Sequence, residues 1–250
     1  MLIDTHCHVL KEEYENPEQI IEESFSKGMD KIIINGYDLK TSKEAVLLAE
    51  KHKNVYAAVG ISPQNTDNVS LNDILEIEKL LFSNKVVAVG EIGLDYYWTK
   101  ENKDKQIEIF KLFLSLAEKH KLPVIIHSRN AIFDTYELLK KYNITGILHC
   151  YSGSLDMAKK FIKLGFLIGI GGVVTFKNSK EIKEIVKEIK IDDISLETDS
   201  PYLSPEPLRG KKNIPFNVYL VAGKIAEIKG ISIDEVIAKT GNTVTVKFDL

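Results

Sequence analysis

A chain of 250 residues with 44% hydrophobic content holds enough apolar material for one sizeable core, and α/β barrels of this length form as a single unit. Acidic residues outnumber basic ones, 36 against 33, so the formal net charge is -3; overall charge therefore excludes general polyanion binding, and any such site must be built locally. The longest apolar run, 164–174, is glycine-rich and falls short of the roughly 18 residues needed to span a bilayer, so no membrane partner is expected.

The first predicted strand starts at Leu2, so no signal peptide is expected, and two cysteines, Cys7 and Cys150, are too few for a disulfide framework. The expected compartment is the cytoplasm. Along the chain, short β-branched runs predict strands at 2–4, 32–35, 55–59, 86–89, 124–126, 147–148, 167–170 and 194–196. Helical spacing fills the gaps. Thr41 and Glu44 predict a capping box, Ile107, Phe110, Phe113 and Ala117 form an apolar stripe, and Ser154 precedes Leu155, Ala158 and Ile162. Eight βα units without a linker predict an α/β fold, a TIM-type (β/α)₈ barrel in which residues 1–250 form a single domain. The rival doubly wound sheet lacks a glycine-rich phosphate fingerprint after the first strand.

The six histidines divide into two groups on this barrel. His6, His8, His127 and His149 fall at the C-terminal ends of predicted strands, where barrels build their active sites. His52 and His120 lie in Glu-Lys-His-Lys segments before strands, at the other end. Glu91 and Asp199 join the first group. Singly, each has an ordinary structural explanation; a His-x-His pair is often just two satisfied polar side chains. Four imidazoles and two carboxylates on one rim are too many for one tetrahedral ion, and suit two ions about 3.5–4 Å apart. Strand alternation puts positions 4, 6 and 8 on one side, so His6 and His8 chelate one ion with Asp4 behind them, while Glu197 lies beneath Asp199. The cysteines face away as small buried residues.

These segments resemble a known family. Asp4-Thr5-His6-Cys7-His8, Gly90-Glu91-Ile92-Gly93-Leu94-Asp95-Tyr96, His127-Ser128-Arg129, His149-Cys150-Tyr151-Ser152-Gly153, Glu197-Thr198-Asp199-Ser200-Pro201-Tyr202 and Arg209-Gly210-Lys211-Lys212-Asn213 are similar, in order, to the motifs of the TatD metal-dependent deoxyribonucleases. The resemblance implies an amidohydrolase-like barrel, divalent metals, and nuclease activity on DNA, often as an exonuclease. Carried over by position, His6, His8 and Asp199 hold one ion, His127 and His149 the other, and Glu91 bridges. One segment departs: Gly60-Ile61-Ser62-Pro63-Gln64 stands where the family carries Gly-x-His-Pro-His, which touches a substrate contact and none of the six ligands.

The expected reaction is phosphodiester hydrolysis assisted by two divalent ions (zinc, manganese or magnesium), with Asp199 as general base and Glu91 as bridge. Arg129, Arg209, Tyr202, Ser62 and Gln64 are the expected substrate contacts, with Lys211 and Lys212 near them and Tyr96, Trp98 and Tyr151 offering faces to bases. The expected partner is DNA, single-stranded or frayed at its ends; no obligatory protein partner is evident. Two alternatives stay open. The same centre hydrolyses other esters or amides, such as aminoacyl esters or lactones. A catalytically idle binding barrel would have lost ligands, and none is missing.

Overall fold

The β-branched runs form eight parallel strands, paired in sequence order in one sheet: β1 (Ile3–Cys7), β2 (Lys31–Asn35), β3 (Val55–Val59), β4 (Val86–Asp95), β5 (Val124–Arg129), β6 (Gly146–Leu148), β7 (Phe166–Ile170) and β8 (Ile194–Leu196). The structure is a computed structural model that describes residues 1–98 and 101–250. The last strand meets the first. Thr5 Oγ1 donates to the Leu196 carbonyl at 2.9 Å, Asp199 N to the His6 carbonyl at 2.9 Å, and His8 N to the Ser200 carbonyl at 2.7 Å. The sheet thus curls into a barrel, as the alternation of strands and helices predicts.

The helices are α1 (Pro17–Ser26), α2 (Leu39–Lys51), α3 (Leu71–Leu80), α4 (Lys103–His120), α5 (Ile132–Leu139), α6 (Leu155–Lys163), α7 (Lys180–Glu188), α8 (Val218–Lys229) and α9 (Ile233–Phe248). Their apolar stripes meet the outer faces of the strands; in α4, Phe110, Phe113, Leu114 and Ala117 are buried, and Ile107 only half so. A second apolar cluster fills one end of the barrel, where Val244 and Phe248 of α9 pack against Ile3, Ile33, Ala58, Ile125, Ile147 and Leu167. No helix among the described residues is long and apolar enough to cross a membrane.

Two local expectations are corrected. The capping box of α2 uses Asp38 and Thr41: Thr41 N donates to Asp38 Oδ1 at 2.7 Å, and Asp38 N donates to Thr41 Oγ1 at 2.9 Å. Glu44 instead accepts from Lys11 N at 2.7 Å, so its charge is spent on a neighbouring loop. The ends of β1, β4 and β5 also extend past the apolar runs, because the ladder continues through polar residues: Gly93 pairs with His127, and Asp95 with Arg129. Ser154 caps α6 as expected, accepting from Met157 N at 3.3 Å.

His52 ends α2 ahead of β3, and His120 ends α4 ahead of β5, where its Nε2 lies 2.9 Å from Glu78 Oε1. Both therefore sit at the barrel end remote from the strand C-termini. His52→Ala and His120→Ala are expected to leave turnover unchanged. The check is steady-state kinetics on the folded variants, and a large loss in either would contradict this placement.

Candidate metal centre

Two strands bulge where the site begins. Asp4 pairs with Ile32 but Cys7 with Ile34, so β1 carries one extra residue; Val89 pairs with Val124 but Ile92 with Ile126, so β4 does too. A bulge turns the side chains that follow it, a common device beside active sites. In β1 it aims His6 and His8 into the barrel mouth, while Cys7 is buried against the outer core, its Sγ 3.4 Å from the Ile33 carbonyl. In β4 it aims Glu91. Two residues later Gly93 has φ of 146°, and a Cβ there would stand 1.9 Å from the His127 carbonyl oxygen, so only glycine lets β4 and β5 lie this close.

All six predicted ligands converge. Glu91 Oε1 lies 2.9 Å from His127 Nδ1 and 3.4 Å from His149 Nε2. Its other oxygen, Oε2, lies 3.8 Å from His6 Nε2 and 3.6 Å from His8 Nε2. Asp199 Oδ1 stands 3.6 Å from both of those nitrogens. The imidazoles crowd one another as well: His6 and His8 present Nε2 atoms 3.2 Å apart, His127 Nδ1 is 3.1 Å from His149 Nε2, and the His6 and His149 rings stack at 3.8 Å.

This donor set fits cations. Its atoms form three overlapping triplets, His6–His149–Asp199, His6–His8–Glu91 and Glu91–His127–His149, each with ligand atoms within 4.8 Å of one another. Groups that face one another so closely have more lone pairs than protons to share, which a shared cation resolves. Electrostatics agree. Burial is the largest influence on His8 and His127 and pushes both rings down. The carboxylates outweigh it and hold each at about 9, Asp199 and Glu91 at His8, Asp95 and Glu91 at His127. A field that favours charge on the rings also favours a cation between them. Burial, then the neighbouring rings of His149 and His8, keeps His6 neutral and well below the usual histidine range.

The residues behind the ligands differ in part from expectation. Asp4 does not reach an imidazole; its Oδ1 accepts from Thr198 N at 2.9 Å and His6 N at 3.2 Å, and its Oδ2 from Thr198 Oγ1 at 2.5 Å. The extra residue in β1 breaks the simple alternation that had put Asp4 behind His6. Burial, against the pull of those donors, raises its carboxyl to about 7. Glu197 accepts from Cys150 N at 2.5 Å, with its Oε1 4.0 Å from His149 Nδ1, and burial holds it well above the usual carboxylate range. Cys150 itself is only half-buried.

Two orienting groups were missed from the sequence. His8 Nδ1 lies 2.9 Å from the Asn35 carbonyl; a carbonyl only accepts, so Nδ1 donates there and Nε2 is the nitrogen turned towards His6, Glu91 and Asp199. His127 Nε2 lies 3.0 Å from Asp95 Oδ2, which turns Nδ1 towards Glu91 and His149. Asp95 is almost fully buried, and Gln64 Nε2 also donates to its Oδ2 at 3.0 Å. A signal for Asp95 was present: in β4, positions 91, 93 and 95 share one side, so Asp95 follows Glu91 towards the site.

The centre opens into a cavity of about 700 Å³. Five carboxylates line it, Glu13, Asp67, Glu91, Asp95 and Asp199, and among the described lining residues Arg129 is the sole lysine or arginine. Of the expected substrate contacts, Arg129, Tyr202, Ser62 and Gln64 lie on its wall. Tyr202 donates to Glu13 at 2.6 Å, and Ser62 Oγ accepts from Asn65 at 3.0 Å. Arg209 lies outside that wall with its guanidinium 4.3 Å from the Phe176 ring, and Lys212 sits over Tyr14 and donates to the Glu13 carbonyl. The base-facing role expected of Tyr96 and Tyr151 does not hold, since both are buried and their hydroxyls are spent on Asp134 and the Ser154 carbonyl.

Comparison with known proteins identifies the family. The family model described as TatD related DNase matches residues 3–248. The metal-dependent hydrolase YabD of Bacillus subtilis is 41% identical over 244 residues, 96% of each chain, and YcfH of Escherichia coli, also a metal-dependent hydrolase, is 34% identical over 94% of this chain and 90% of its own. The crystal structure of the Escherichia coli TatD homologue YjjV superposes with a TM-score of 0.91 at 28% identity, covering 100% of this chain and 98% of that one. With its eight-stranded barrel and clustered imidazoles and carboxylates, the chain belongs to the TatD family and is a metal-dependent hydrolase.

Proposed function

We propose that this hydrolase cleaves the phosphodiester bonds of DNA, acting at single-stranded or frayed ends, with two divalent cations. His6, His8 and Asp199 would hold one, His127 and His149 the other, and Glu91 would lie between them. The observation that carries this reading is the division of Glu91, whose two oxygens face different histidine pairs. Zinc, manganese and magnesium suit such a mixed donor set. When bound, the ions supply Lewis acidity and neutralise charge that develops on the phosphoryl group.

The chain's own residues do the rest. Asp199 shares Oδ1 between His6 and His8 and borders the open cavity, so its carboxylate is placed to take a proton from the attacking water. Arg129 is the cation among the described residues of the cavity wall, and its planar fork suits a phosphate oxygen pair. Asp95 fixes the His127 ring. Gln64 donates to that carboxylate from the cavity wall, so it braces Asp95 where the family pattern carries a histidine.

Asp95→Asn is accordingly expected to weaken ion binding or turnover about 10–100-fold, the usual cost of removing a group that orients a metal-binding histidine. Calorimetric titration with the ion, beside kinetics, checks it; unchanged affinity and turnover would remove Asp95 from the centre. The reaction class is tested by a panel in which oligodeoxynucleotides compete with a lactone, a cyclic amide and an aminoacyl ester. Turnover is expected on the oligonucleotides, and efficient cleavage of a carbon ester alone would overturn the DNA reading.

A further inference from the structure

Past the end of β4 the chain turns and exposes two large rings. Trp98 is 67% exposed and Tyr97 53%, whereas the adjacent Tyr96 is buried. The two rings meet edge to face, with centroids 5.0 Å apart. Trp98 also lines the cavity that contains Glu91, His127 and Asp199. From β5, the Arg129 guanidinium lies 3.8 Å from the Tyr97 ring centre and 5.5 Å from that of Trp98. Five carboxylates line the same cavity, and none of these five pairs with Arg129. Its guanidinium rests on a π-face and is turned to none of those five carboxylates, which leaves it open to an incoming anion.

We infer that Tyr97, Trp98 and Arg129 form a subsite for one unpaired nucleotide beside the metal centre, with the base stacked on Trp98 and a phosphate on Arg129. This deepens the DNA reading and rests on it. The chemistry selects the occupant. A ring that stands in water at the rim of a charged cavity offers a flat apolar face, and a cation beside it offers charge; a nucleotide carries the complement of both. Bases within a duplex are already stacked on each other, so the platform takes only a strand whose bases are free.

Trp98 is the only tryptophan in the chain, so the protein's indole fluorescence reports on this subsite alone. The metal-loaded protein is titrated with a cleavage-resistant phosphorothioate oligothymidylate, and in parallel with an abasic phosphorothioate of equal length. The expected result is strong quenching by the base-bearing strand and little by the abasic one. In anisotropy measurements with the labelled oligothymidylate, Trp98→Leu raises Kd about tenfold. Trp98→Tyr, which keeps a π-face, recovers most of the affinity. Phe82→Leu, an exposed aromatic next to His120 at the other end of the barrel, serves as control and changes neither. Equal quenching by both strands, no quenching by either, or an unchanged Kd in Trp98→Leu would overturn the subsite. Cleavage of an ordinary phosphodiester oligonucleotide, assayed separately, judges the DNA reading; if it persists while quenching fails, the subsite alone falls.

Discussion

Glu91→Gln is expected to lose turnover by more than about a hundredfold and to lower metal content at the same time. The bound is physical: groups that merely orient a ligand cost about 10–100-fold, and Glu91 lies between the two histidine pairs themselves. An amide keeps the volume and one oxygen, but it offers a nitrogen donor where the carboxylate offered a second acceptor. One face, either His6 with His8 or His127 with His149, would then meet an N–H instead of a lone pair. The carboxylate also carries the charge best placed between two cations. Burial raises Glu91, but hydrogen bonds from His127 and His149 and the charge of those rings outweigh it and hold the group well below the usual range, so the wild-type centre keeps it ionised. Elemental analysis beside kinetics gives the check, and a variant with two ions per chain and full turnover would remove Glu91 from its bridging place.

The Asp199→Asn variant separates two roles that one residue combines. Its Oδ1 lies 3.6 Å from His6 Nε2 and 3.6 Å from His8 Nε2, so an amide oxygen in that position retains one donor for an ion. What the amide cannot do is accept a proton. Metal content is therefore expected to fall modestly while kcat falls by about 10²–10⁴, the span of a positioned general base. Parallel losses of metal and rate would show a ligand and nothing more.

The barrel was legible in the sequence because its signals are local and repeated. Eight apolar runs with helical spacing between them leave few other arrangements, and each lies within a residue or two of an observed strand except where polar residues prolong the ladder. The six candidate ligands were legible for a related reason: they stand at the C-terminal ends of strands, and a closed parallel barrel brings those ends to one mouth. The groups behind them were harder to see. Asp4 was assigned by alternation, and one extra residue in β1 sent its carboxylate to the backbone of His6 and Thr198. Asn35 orients His8 through a carbonyl, which every residue type has, so no side-chain pattern marks it. Tyr96 and Tyr151 looked like base-stacking candidates because aromatic residues in loops carry no sign of which way they turn; Asp134 and the Ser154 carbonyl turn both inward. Arg209 likewise follows a family-like motif, yet it rests on Phe176 outside the cavity wall.

Gln64 shows how structure changes the weight of a departure from a family pattern. Read in sequence, a glutamine in place of a histidine weakens a substrate contact. In the fold it donates to the Asp95 oxygen that faces His127, so the change lies within the scaffold of the centre.

The most direct test of a two-ion centre acting on DNA is the rate of cleavage of a labelled single-stranded oligonucleotide as a function of ion equivalents. Protein stripped by a chelator would be titrated with zinc, manganese or magnesium in turn, and the rate followed against bound ion per chain. With the activating ion, the rate should be near zero in the stripped protein, stay low through the first equivalent, and reach its plateau at two. Full cleavage by the stripped protein, or a plateau at one equivalent, would contradict the account.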